Sequence, residues 1–208
     1  MRAMPRSRLG PRLIVVATLT AAAAVAGLAA ATTVKAVSVT QLPLQPAELA
    51  GYHATGPTAL IPTAAGFASR IGTPAEAAKL RRAGYRRAGF EQLAGPAKAI
   101  AFSFVIQYRD AAAARSELRR LYRRDIGDNT AIPRAVSVAG IPGAVGLAQD
   151  YKNTTTDESY VAFTDGPFYY YSTILGVGAH KDPTVAKLIA AARAQYKRVH
   201  GQAGASRG

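Results

Sequence analysis

At Asp110 the spacing of apolar residues changes from two to roughly 3.6, and this switch constrains the fold more than any other feature of the chain. Before it, in "IAFSFVIQY", Ile100, Phe102, Phe104, Ile106 and Tyr108 alternate with smaller or polar residues, as in a half-buried strand. After it, Ala111, Ala114, Leu118, Leu121, Tyr122 and Ile126 fall within roughly 140° of a helical projection, enough to seat a helix on a sheet. Asp110 supplies the N-cap and Gly127 the stop. A strand that hands over directly to an amphipathic helix needs a sheet beneath it.

Two further helices have readable ends. "TPAE" places Thr73 at an N-cap, Pro74 at the first helical position and Glu76 where a capping box takes its acid, with Gly84 closing. Asp182 and Pro183 open "TVAKLIAAARAQYKRV", with Lys197, Arg198 and His200 near the negative end of the dipole and Gly201 after it. "AVGLAQDY" alternates as a strand. "SYVAFTD" and "FYYYSTIL" form a hairpin about Gly166 and Pro167, and "YRRAGFEQL" pairs with "IAFSFVIQY" across Gly95 and Pro96. "GIPGAVG" reads as a turn feeding a strand, and "NTTTDES" as a polar loop. Twice a hairpin leads into a helix, the outline of a duplicated β-β-α unit. The expected class is α+β: a mainly antiparallel sheet with helices packed on one face, preceded by an N-terminal hydrophobic helix.

That N-terminal segment fixes the compartment. Arg2, Arg6, Arg8 and Arg12 form a basic head (1–12) without an acid, and Leu13–Ala31 is an uncharged apolar run of 19 residues. This is the layout of a segment that keeps its basic end inside and sends the following chain across a membrane. The run approaches the ~20 residues a spanning helix needs, which favours an uncleaved single-pass anchor. Its alanine-rich second half, with small residues at Ala29 and Ala31, leaves a cleaved signal peptide and a secreted product open. A buried core helix would show a polar face, and this run has none. Residues 32–71, broken by Pro43, Pro46, Pro57 and Pro62, read as a tether holding at most one early strand; 72–201 read as the extracytoplasmic domain and 202–208 as a disordered tail.

The order "TPAEAAKLRRAGYRRAGFEQL", "FSFVIQYRDAAAARSELRRL", "GIPGAVGLAQDY", a strand ending "DGPFYYYSTI" and a terminal amphipathic helix is similar to small exported domains of high-GC Gram-positive bacteria. These are membrane-anchored or secreted proteins, some of them ectodomains of signalling proteins. The resemblance spans 72–200 and implies an α+β fold and an envelope location. It brings no catalytic motif with it.

Charge is the next constraint. The chain of 208 residues carries 26 Lys and Arg against 12 Asp and Glu, a net +14, and 19 of the bases are Arg. A domain beyond the membrane does not meet chromosomal DNA or mRNA, so nucleic acid is set aside as a partner. The anions left are lipid head groups, envelope polymers and acidic proteins. Arg119, Arg120, Arg123 and Arg124 gather opposite the apolar face of the 111–126 helix with Arg115 at its border, and Glu117 can pair with Arg120 at i+3. They read either as a solvated face or as an anion-contacting one, where each base near an anionic membrane is worth about 1 kcal/mol. In "FYYYSTIL", Phe168 and Tyr170 point one way and Tyr169 and Tyr171 the other. One pair belongs to the core; the second, Tyr169 and Tyr171, is the candidate aromatic surface.

With no cysteine, there is no disulfide, thiolate metal site, thiol nucleophile or cysteine-linked lipid anchor. His53, His180 and His200 stand apart from one another, no metal or cofactor motif is present, and no nucleophile elbow or phosphate loop occurs. The sequence reads as a membrane-tethered binding module without catalytic residues. The alternative is an envelope enzyme whose scattered Asp and Glu side chains converge in a cleft.

Overall fold

The computed structural model describes residues 38–71, 74–152, 156–177 and 181–205. The basic head and the 13–31 run lie outside them. The elements are β1 (His53–Ala54), β2 (Ala59–Ile61), α1 (Ala64–Arg70), α2 (Ala77–Arg82), β3 (Tyr85–Ala94), β4 (Ile100–Tyr108), α3 (Ala111–Ile126), β5 (Ala131–Val136), β6 (Val145–Tyr151), β7 (Thr156–Asp165), β8 (Phe168–Val177) and α4 (Lys181–Ala205). The expected switch at Asp110 is realised: its carboxylate accepts the Ala113 N–H at 2.7 Å and starts α3.

Every strand pairing is antiparallel, in the order β1-β3-β4-β8-β7-β6-β5, with β2 sharing the β3 edge with β1. The β7–β8 hairpin turns through Gly166 and Pro167 as its sequence predicts, with Asp165 opposite Phe168. β5, whose Ile132 is 60% exposed, was not anticipated; its Pro133 is tolerated because the strand lies at a sheet edge.

The fold is α+β, but helices cover both faces of the sheet, not one. On one face α1, α2 and α3 bury Ile106, Tyr108, Tyr160, Ala162 and Tyr169; on the other α4 buries Val105, Val161, Phe163, Tyr170 and Ile174. In β4 the residues read as solvent-facing are small for a packing reason. Ala101 and Ser103 are each 1% exposed, because another chain segment lies against them.

That segment belongs to the stretch read as a tether. Two short 3-10 turns, Val39–Gln41 and Pro46–Glu48, strap across the α4 face and place Val39, Leu42, Leu44 and Leu49 in its core. Prolines end each short run without preventing its burial. The strap's polar backbone is matched from beneath: Ser103 Oγ accepts the Leu44 N–H at 2.9 Å, and Gln195 Nε2 donates to the Leu42 carbonyl at 2.9 Å. Arg198, expected to serve the helix dipole, instead donates to Glu48 and to the carbonyls of Gln41 and Pro43. Gly89 is required here, since a Cβ would overlap the Val39 carbonyl.

Two more expectations change. α4 runs on through Gly201 to Ala205, so that glycine does not stop it. The β3-β4-α3 and β7-β8-α4 units share order without symmetry. A rotation that superimposes the hairpins sends their helices to opposite faces of the sheet. Among the described residues, no helix is long and apolar enough to cross a membrane.

Candidate functional site

The α4 face is closed by α4 and the strap, while the opposite face is only partly roofed. α3 covers its centre, the α1–α2 segment covers the β3 end, and a cleft of about 920 Å³ opens between them over the sheet. Its floor follows from strand register. Phe90, Phe104 and Tyr171 are direct neighbours across β3, β4 and β8, and Phe102 and Thr173 lie one step along. Glu158 of β7 follows, opposite Leu175, with Gln149 of β6 beyond it. The floor therefore grades from aromatic at β3 and β4, through hydroxyls at β8, to carboxylate and amide at β7 and β6.

The aromatic end is ordered by ring contacts. Phe104 stacks on Tyr171 with centroids 4.7 Å apart and takes the edge of Phe67 at 5.0 Å. The Arg70 guanidinium lies 4.6 Å from the Phe90 ring centroid, a cation–π contact at the rim. Phe102 and Phe104 remain half-buried, presenting apolar area to the cleft.

At the polar end Glu158 accepts three hydroxyls, from Tyr151 at 2.6 Å, Tyr171 at 2.8 Å and Thr173 at 2.9 Å. No cation pairs with it among the described residues. Burial raises the Tyr171 and Tyr151 pKa values, and the neighbouring Glu158 raises them further, so both phenols stay protonated and donate. Asp125, at the C-terminal end of α3, lines the same end and pairs with Arg124 at 2.6 Å. Burial lifts its carboxyl above the ordinary aspartate range; Arg124 opposes that rise and the Glu158 charge adds to it.

The five arginines proposed to meet anions do not act as one face. Arg120 turns into the cleft wall and bridges Glu117 and Glu76, and Arg124 turns toward Asp125. Arg115, Arg119 and Arg123 stay exposed, as does Arg124 despite its ion pair. The 3-residue pairing of Glu117 with Arg120 is present as expected; the Arg124–Asp125 pair was not foreseen. Glu76, the expected capping acid, has its carboxylate on Lys79 and Arg120 instead, and Thr73 lies outside the described residues. Burial pushes the Glu76 pKa up, yet the hydrogen bonds and charges of Lys79 and Arg120 outweigh it and hold the group below its ordinary value.

Of the tyrosine pair, Tyr169 is 1% exposed and belongs to the core, whereas Tyr171 is half-buried and reaches Glu158. His200 lies 3.4 Å from Asp165 and stacks on Tyr196, on the other side of the molecule from the cleft. Among the described residues no three His, Asp or Glu side chains gather as metal ligands. Sequence reading missed Glu158, which it placed in a polar loop. The signal was present: a two-residue turn at Gly166–Pro167 sets Glu158 opposite Leu175, one diagonal step from Thr173.

No protein-family model matches this chain, and no curated protein matches it in sequence. Among solved structures, its fold is similar to the extracellular domain of PknH from Mycobacterium tuberculosis. The two share 8% sequence identity over 74% of this chain and 89% of that one, with a TM-score of 0.46.

Proposed function

We propose that this chain is an extracytoplasmic, membrane-tethered, non-enzymatic binding module whose ligand site is the cleft between α3 and the α1–α2 segment. The cleft carries the reading: its volume lies within the range of small-molecule sites, and its apolar floor ends in a few convergent polar groups. The arginine head and the Leu13–Ala31 run support the location and make the membrane itself the first partner. Arg115, Arg119 and Arg123 are an outer basic edge suited to anionic lipid, an envelope polymer or an acidic protein, separate from the cleft.

Because the chain has no cysteine, Leu121→Cys would place its sole thiol at the cleft wall. A membrane-impermeant maleimide should label that thiol on intact cells, and an amphiphile added to the purified chain should slow labelling. Labelling only after lysis contradicts the location. Labelling indifferent to amphiphiles of every charge contradicts the site.

One observation favours a second reading, an envelope hydrolase. Asp125, its carboxyl raised by burial, shares the polar end with Glu158, an arrangement suited to general acid and base. Release of acid or reducing ends from envelope esters or glycans, abolished by Asp125→Asn, would establish it.

A further inference from the structure

The charge of the cleft runs against that of the chain. Of 12 acids in the sequence, five line the cleft: Glu76, Glu117, Asp125, Asp128 and Glu158. Of 26 bases, three do: Arg70, Arg120 and Arg124. The described lining thus has two negative charges in excess within a molecule of net +14.

The excess is not spread evenly. Arg120 is committed to Glu76 and Glu117, and Arg124 to Asp125. Glu158 is left with three hydroxyl donors, two on Oε1 and one on Oε2, which leave a lone pair on Oε2 open and its charge uncompensated. Arg70 stands at the far rim, exposed and laid on Phe90, where solvent screening makes a further ion pair worth little. Between Phe90 and Gln149 the floor crosses four strand spacings, about 19 Å at ~4.8 Å each. Aromatic area occupies the first half and the unpaired carboxylate lies in the second.

Resting on the reading of the cleft as the ligand site, we propose that it selects a cationic amphiphile: an apolar body on Phe90, Phe102 and Phe104, and an amine at Glu158. An ammonium supplies the missing counter-charge and donates to the carboxylate, a charge-assisted hydrogen bond stronger than the neutral ones already present. An anionic head placed there would meet the uncompensated charge of Glu158. The basic exterior would draw anionic lipid to the outside of the domain while the cleft rejects it.

The test is calorimetric titration of the full chain in phosphatidylcholine nanodiscs, with empty discs as blank, using octylamine, octan-1-ol and octanoate. Octylamine should bind at least about tenfold more tightly than octanoate, a difference of ~1.4 kcal/mol. Glu158→Gln should bring the amine to within about threefold of the alcohol. Octanoate or octanol binding as well as the amine, or an amine advantage that survives Glu158→Gln, overturns the proposal while the cleft remains a binding site. Failure of all three ligands overturns the cleft reading itself. Should Glu158→Gln not fold, salt on the native chain decides: rising ionic strength should weaken the amine and leave the alcohol unchanged, and an amine insensitive to salt refutes the claim.

Discussion

Arg120 Nη2 lies 2.6 Å from Glu117 Oε1, and the carboxylate it holds is 3% exposed. The same nitrogen reaches Glu76 at 2.8 Å, tying α3 to the α1–α2 segment across one wall of the cleft. A residue that looks from sequence like one of several surface arginines is the counter-ion of a buried acid. Replacing it leaves Glu117 charged and unpaired, a loss that costs about 3 kcal/mol when the pair is buried. Arg120→Ala should therefore lower stability by that order in chemical denaturation. Arg119→Ala, one residue away and exposed, should stay within about 0.5 kcal/mol of the parent. Equal effects from the two would contradict the assignment.

The acids of the cleft should respond to pH in opposite senses. Glu76 has its folded pKa depressed, so its contribution is present above the ordinary glutamate value of about 4.3 and is lost as pH falls through the folded value. Asp125 has its folded pKa raised, so its ionised form costs stability at neutral pH, and the cost fades as pH falls through that value toward about 3.9. Thermal melts across pH should show Glu76→Gln less stable than the parent at pH 7, with the gap closing in acid. Asp125→Asn should be more stable at pH 7, with its gain vanishing below the ordinary aspartate range. Matching pH profiles for the two variants would refute the assignment.

The strap can be tested at its polar seam. Ser103→Ala strips the Leu44 N–H of its acceptor at a buried position, a loss of about 1–3 kcal/mol. Gly89→Ala forces the strap off the sheet through the Val39 carbonyl, with an overpacking cost of a similar ~1–3 kcal/mol. Denaturation midpoints read both effects; an unchanged midpoint in both variants would mean that the strap is not seated on β3 and β4.

Proteolysis distinguishes a packed strap from a tether. Under native conditions proteinase K should spare the segment from Val39 to Leu49, whose Val39, Leu42, Leu44 and Leu49 are all but fully buried. Arg198→Ala, which removes the guanidinium from Glu48 and three backbone carbonyls, should expose it to cleavage. Rapid cutting within 39–49 in the parent would restore the tether reading.

The elements that sequence reading located well are those whose signals are local. Asp110 as a cap and the Gly166–Pro167 turn depend on a few adjacent residues, and both hold. The face assignment failed because small and polar residues are ambiguous. Ala101, Ser103 and Ser172 alternate with large apolar residues as a solvated face would, yet they lie beneath the strap and α4. The strap itself was hidden by prolines that signal irregular backbone and say nothing about burial. The cleft was less legible still, because it joins Glu76, Glu117 and Glu158 from three separate elements through tertiary packing. Both proposed aromatic residues lie along it, Tyr169 buried in its floor and Tyr171 reaching Glu158.

The most direct test of the account is a chemical-shift map of the full chain in phosphatidylcholine nanodiscs during titration with octylamine. Aromatic signals of Phe102, Phe104 and Tyr171 and the carboxyl carbon of Glu158 should move together and saturate, while Phe163 beneath α4 and Tyr196 of α4 stay fixed. Shifts confined to the α4 face, or no saturable shift at those four cleft residues, would contradict it.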